Sequence, residues 1–293
     1  MNSTPRQTPK EAIEGALNEI ASGLSFIEGT SPSSHTVVVS SGLDDPVVAE
    51  SLALYAVAFL AGWVERDATI GDRFAVHGYE KRDEIRKIVE RILVPPPDLT
   101  PAQLENWRVT SRDPWIAEVL THAIFVIRRG VASASLVGDV VAVLRPHPSP
   151  KRQGLDSVAI YQDADLAVIA IGETKASCGR GSDELTHACD MFDNIDEGLY
   201  GPDLRNALDL LASVLPTELA KQLGDSLWRN QRCYVPAIVH ETQFDASRGR
   251  PRLARLEPPA DRKRVLVLRM QNFDAFFAEV ASRMPGFVDR IVV

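Results

Sequence analysis

The stretch LDSVAIYQDADLAVIAIGETKAS, residues 155–177, decides how this chain is read. Its middle, LAVIAIG, is almost continuously apolar, as expected of a central strand buried on both faces. The run ends in Glu173 and Lys175. Strand side chains alternate with a period of two, so these two project together while Thr174 points away. Two charges closing a buried strand on one face make poor core chemistry, and they suit a place where something charged binds.

The segment before it predicts a hairpin partner. If Gln162–Asp165 form the loop, Tyr161 faces Leu166, and Asp156 lies opposite Ile171 and diagonal to Glu173. Diagonal neighbours on one face have backbones about 7 to 8 Å apart, within reach of two carboxylates converging on one ion. A slip of one residue would turn Asp156 to the other face. Asp165 shares the phase of Glu173 but lies about 26 Å away along the strand at ~3.3 Å per residue. Asp163 and Asp165 therefore read as turn residues.

Outward from the hairpin, DPWIAEVLTHAIFVIRR (113–129) predicts a helix opened by Asp113 as a cap and Pro114, and ended by Gly130. Strands are expected at about 134–144, 155–161 and 166–174, then helices near 183–198 and 203–222. A strand at 233–239, a late strand at 265–270 and a helix at 273–284 complete that part. Before it, a helix is expected from Pro9 to about Ile27 with Thr8 as cap, a strand at 35–41, and helices at about 46–66 and 80–93. The prolines at 95–97 suggest a division into a mostly helical N-terminal lobe, 1–97, and a core with C-terminal helices, 98–293. The order helix, three strands, helix, strand predicts a mixed α/β (α+β) sheet flanked by helices.

Composition sets limits. The chain has 293 residues, 45% hydrophobic and 25% charged, enough for a sizeable core. No apolar run reaches the ~18 to 20 residues a bilayer needs, so no membrane partner is expected. The start shows no apolar signal segment, which makes the cytoplasm the default expectation. Cys178, Cys189 and Cys233 are odd in number and lack C-x-x-C spacing, which argues against disulfides and a cysteine zinc site. Buried thiols are the plain expectation. A formal net charge of −8 counts against a broad electrostatic grip on nucleic acid. Residues 248–264, with seven basic against two acidic side chains, are the local exception.

Asp156 followed by Glu173-Thr174-Lys175 resembles the D…(D/E)-x-K signature of the PD-(D/E)XK nuclease superfamily, over roughly residues 113–240. The resemblance implies a restriction-endonuclease-like core and a Mg²⁺- or Mn²⁺-dependent phosphodiesterase acting on DNA. It makes Asp156 and Glu173 metal ligands, with the Thr174 carbonyl as a further one, and gives Lys175 the attacking water. Glu118, on the helix before the sheet, matches an additional glutamate often present in the family. Leu155 stands where the signature has proline. In size and element order the chain is also similar to nuclease subunits of phage-defence systems such as Hachiman, which implies defence against foreign DNA beside a separate helicase. Elementary chemistry supports the same roles: phosphodiester hydrolysis needs charge neutralised on phosphate and a nucleophile generated near neutrality, and a carboxylate-held divalent metal supplies both. An ammonium beside such a metal is expected to find its charged form disfavoured.

Arg180, Arg248 and Arg250 are the candidate phosphate contacts, set against a solvated loop. His122, four residues after Glu118, reads more simply as a core histidine, and His187 as part of a solvated helix start. Asp139 reads as a loop or edge residue. Trp107, Trp115 and Trp228 read as packing residues. No phosphate-cradling loop, zinc-protease, nucleophile-elbow or dinucleotide motif occurs. Two other readings stay open: a non-catalytic nucleic-acid-binding or assembly module on the same scaffold, and a nuclease acting on RNA.

Overall fold

A computed structural model describes residues 8–64, 82–127, 138–144, 154–224, 231–241 and 244–291. The elements in chain order are α1 (Pro9–Gly23), β1 (Ser25–Glu28), β2 (Thr36–Ser41), α2 (Pro46–Leu60), α3 (Arg82–Leu93), α4 (Pro101–Trp107) and α5 (Asp113–Val126). There follow β3 (Asp139–Val143), β4 (Ser157–Asp163), β5 (Leu166–Ser177), α6 (Gly181–Asp196), α7 (Gly201–Ala212) and α8 (Thr217–Ala220). The chain closes with β6 (Arg232–His240), α9 (Pro251–Arg255), β7 (Arg264–Arg269) and α10 (Phe273–Ile291).

The fold is mixed α/β, as the element order predicts. The seven strands form one sheet in the order β1-β2-β7-β6-β5-β4-β3. Strands β2, β7, β6 and β5 run parallel, while β4 and β3 add antiparallel on one side and β1 on the other. Every residue of β6 is buried, as a strand covered on both faces requires. On one face, Val168, Ala170, Val235 and Ala237 pack with α1, α2, α3, α5 and α10; on the other, Ala167, Ile169, Ile171 and Ile238 pack with α6 and α7. No helix among the described residues is long and apolar enough to cross a membrane.

Residues on either side of the prolines at 95–97 share this sheet and core. β2 pairs with β7, and side chains of α2 and α10 lie in the same apolar cluster. α1 starts as expected, in a capping box between Thr8 and Glu11, but stops at Gly23 instead of running to Ile27. There the helix passes α2 so closely that a Cβ at Gly23 would lie 2.5 Å from Val48 Cγ2. The chain then turns out into β1, an edge strand too short to announce itself by alternation.

Three more corrections have local causes. Asp113 is not a helix cap: α4 runs through a π turn at Arg108–Arg112 directly into α5, and Asp113 is buried inside, its Oδ1 2.7 Å from Arg112 Nε. The helix expected over 203–222 ends at Ala212 and restarts as α8 after Pro216, which cannot continue a helix. α10 runs past its expected end through Pro285 to Ile291. The expected stretches at 65–66, 80–81, 128–130, 134–137 and Trp228 lie outside the described residues.

The β4–β5 hairpin carries a further correction. Asp163 pairs with Leu166, so the turn is only Ala164-Asp165, with Ala164 at φ 52° and its carbonyl accepting from Gln162 Nε2 at 2.8 Å. The register therefore differs by two residues from the one expected with a Gln162–Asp165 loop. A shift of two keeps every side chain on its face. Ser157 pairs with Gly172, which brings Asp156 level with Glu173 instead of one step diagonal to it.

Candidate active site

β5 delivers its charged residues at its C-terminal end, where the sheet changes from parallel pairing with β6 to antiparallel pairing with β4. Open α/β sheets bind ligands in the crevice beyond the carboxyl ends of their strands. A cleft of about 870 Å³ opens there, lined among others by Glu118, Asp156, Thr174, Lys175, Arg180 and Glu184.

Glu173 is buried at 7% exposure, and its Oε1 lies 2.7 Å from Lys175 Nζ. Asp156, just before β4, accepts the Thr174 backbone N–H at 2.8 Å through Oδ2. Thr174 points to the opposite face, as the period of two requires, and its hydroxyl donates to Thr121 Oγ1 on α5 at 3.1 Å. Glu118 reaches the cleft from α5, one turn before Thr121.

The electrostatics follow from crowding acids around one ammonium. Burial, then the charges of Glu173 and Glu118, raise Asp156 well above the usual carboxylate range against the Thr174 hydrogen bond. Burial and the Glu173 charge push Glu118 up to about 7. Burial pulls the Lys175 ammonium down, but the charge and hydrogen bond of Glu173, with Asp156 and Glu184 behind them, outweigh it and raise its pKa. Without a cation in the site, the charged form of the lysine is favoured because its immediate surroundings are anionic.

This donor set fits a hard divalent cation. Carboxylates held together at a cost in protonation, and open to a wet cleft, are oxygen ligands of the kind magnesium takes, and magnesium keeps several waters. Among the described residues, no three His, Cys, Asp or Glu side chains stand grouped as a ready cage. The available donors are Asp156, Glu173 and backbone carbonyl oxygen, with Glu173 turned to Lys175.

Arg180 stands on the cleft rim, its side chain 75% exposed and 3.9 Å from Glu184. Arg248 instead pairs with Asp245 at 3.0 Å, and Arg250 donates to Ser182 Oγ and the Asp245 carbonyl, both at 3.1 Å, while lying over the Phe244 ring. Other positive charges of 248–264 are also answered within the chain. Arg252 pairs with Asp190, Arg255 with Asp193 and Arg262 with Asp163, and Lys263 donates to the Leu256 carbonyl.

The remaining candidates fall elsewhere. His122 is buried and shares a 2.9 Å hydrogen bond with Tyr55. His187 is exposed beside Glu184. Asp139 pairs with Gln162 near the turn end of β4, far from Asp156. Trp115 is fully buried. Cys189 and Cys233 are buried as expected, but Cys178 is exposed on the cleft rim, where its thiol donates to Glu241.

Sequence reasoning missed Glu184 and Asp113 as cleft residues. Glu184 lies in the first turn of α6, where an acid reads only as complementing the helix dipole. Asp113 reads as a cap until the π turn is known. No protein-family model matches the sequence, and no curated protein matches it.

Proposed function

We propose that this chain is a divalent-cation-dependent nuclease of the PD-(D/E)XK type that hydrolyses phosphodiester bonds of DNA. One observation carries the reading. Asp156 and the Glu173–Lys175 pair come together at the end of a buried strand, Asp156 on the Thr174 N–H, and Glu118 lines the same cleft from α5.

Each residue has a chemical task. Asp156 is held by the Thr174 N–H through one oxygen, leaving the other to bind. Glu173 supplies the second carboxylate. A divalent cation held between them would neutralise charge on the phosphate and make water more acidic. Lys175, released from Glu173, donates hydrogen bonds to a non-bridging phosphate oxygen or to the attacking water and orients it. Glu118, pushed up to about 7 and so about half-protonated at neutrality, would hold the cation through one of its waters and exchange a proton with that water.

The setting we propose is prokaryotic defence, with a helicase-type partner gripping the DNA. A net charge of −8 and arginines already paired with Asp190, Asp193 and Asp245 support a subunit that borrows its hold on the backbone. Purified protein incubated with plasmid and Mg²⁺ or Mn²⁺ is expected to cut it, while Glu173→Ala and Lys175→Ala do not. Equal cutting by parent and variants would sink the assignment, and a panel of duplex DNA, single-stranded DNA and RNA decides the substrate.

A further inference from the structure

Ala117, Leu120, Ile124 and Phe125 of α5 share one apolar cluster with Val168 and Ala170 of β5, and a Cβ at Gly172 would lie 3.3 Å from Phe125 Cε2. One helical turn before Phe125, the interface holds two hydroxyls instead. Thr121 is fully buried, Thr174 is 5% exposed, and the Thr174 hydroxyl donates to Thr121 Oγ1 at 3.1 Å. Two valines would fill the same space without the cost of desolvating hydroxyls, so the pair is poorly explained by stability alone. A buried polar pair does what apolar contact does not: it fixes one alignment, because sliding the helix leaves both groups unsatisfied. Going out along the strand by two residues matches one turn back along the helix. Phe125 meets Gly172, Thr121 meets Thr174, and the next turn carries Glu118 to the cleft. Thr174 also holds Asp156 through its N–H, so one residue touches both the aspartate and the helix that bears the glutamate.

We propose that Thr121 is a positioning residue: bonded to the Thr174 hydroxyl, it sets the alignment of α5 on β5 and so the reach of Glu118 into the site. The inference rests on the cation-site reading above. The experiment is calorimetric titration of the full chain with Mn²⁺ alone. Outer-shell changes of this kind usually cost about 10- to 100-fold in metal affinity. Thr121→Val and Thr174→Val, which keep shape and every backbone group, are each expected to weaken Mn²⁺ binding about tenfold, with Thr121→Ser within about twofold of the parent. In a Glu118→Ala background, Thr121→Val should add less than about twofold, because the group it positions is gone. An unchanged dissociation constant in Thr121→Val, whatever its melting temperature, overturns the proposal, as does a full penalty in the Glu118→Ala background. A parent that binds no Mn²⁺, or binds it equally well as Asp156→Asn, sinks the cation-site reading and this inference with it. A parent that binds through Asp156 but ignores Thr121→Val sinks the inference alone.

Discussion

Lys175 is asked to do two things at this site that pull against each other. In the cation-free protein it neutralises Glu173, and for hydrolysis it must let that carboxylate go. Lys175→Met is therefore expected to lower cleavage by about 10²-fold or more. It should leave Mn²⁺ affinity equal or higher, because a competitor for Glu173 has been removed; matched cleavage rates and calorimetry check both halves. The protonation of Glu118 and Asp156 makes a second prediction. Both have raised pKa values in the folded state, Glu118 at about 7. The sign is the reverse of a salt-bridged acid: the folded chain keeps protons that the unfolded chain releases. The penalty is absent below the ordinary carboxylate range and grows as pH rises, the Glu118 share being complete above about pH 7. Cation-free protein should lose stability between about pH 5 and 8, Glu118→Gln should recover on the order of 1 kcal/mol of it at the upper end, and Mg²⁺ should raise the melting temperature more at about pH 8 than at about pH 5.5. Melting curves at the two pH values measure all three. At this scale the shared face of Glu173 and Lys175, with Thr174 turned away, was legible from parity. Thr121 and Glu184 were not, because which helix side chain meets which strand side chain is fixed by packing distance and not by local period.

Elements bring these residues together through two small features of β4 and β5. Gly172 lets α5 come close: a Cβ there would lie 3.1 Å from Ser157 Cβ and 3.3 Å from Phe125 Cε2. Gly172→Ala is expected to cost about 1 to 3 kcal/mol as the helix or Phe125 gives way, and to weaken cation binding with it, since Glu118 rides on that helix. Denaturant unfolding and Mn²⁺ titration of the same preparation test this. The hairpin turn holds Ala164 at φ 52°, a conformation that strains a residue with a Cβ. Ala164→Gly should stabilise by about 0.5 to 1 kcal/mol without touching the site. The hairpin also shows how a misread turn can leave a correct face. Asp163 and Asp165 both looked like turn formers; Asp165 is one, but Asp163 pairs with Leu166 and the ladder runs two residues further, and only a shift by an odd number would have moved Asp156 away. The π turn at Arg108–Arg112 was illegible because Pro114, with Asp113 before it, mimics a helix start, and only the preceding turns show the helix to be already under way.

The whole molecule distributes charge so that the cleft is acidic and much of the basic segment is spent internally. Arg248 is held by Asp245, whereas Arg180 is largely exposed at the cleft mouth. Arg180→Ala is therefore expected to weaken DNA binding and to reduce the salt dependence of that binding by about one counterion, with Arg248→Ala close to the parent. Fluorescence anisotropy over a salt series separates the two. The mixed α/β architecture was legible from the alternation of apolar runs. That residues on both sides of the prolines at 95–97 share one sheet was not, because pairing of β2 with β7 joins segments far apart in sequence and leaves no local mark. The account turns finally on whether Asp156 and Glu173 share a cation. Crystals soaked in Mn²⁺ are expected to show an anomalous peak about 2 Å from a carboxylate oxygen of each, with Lys175 swung off Glu173. No peak between them at saturating Mn²⁺, with the Lys175–Glu173 pair intact, would contradict it.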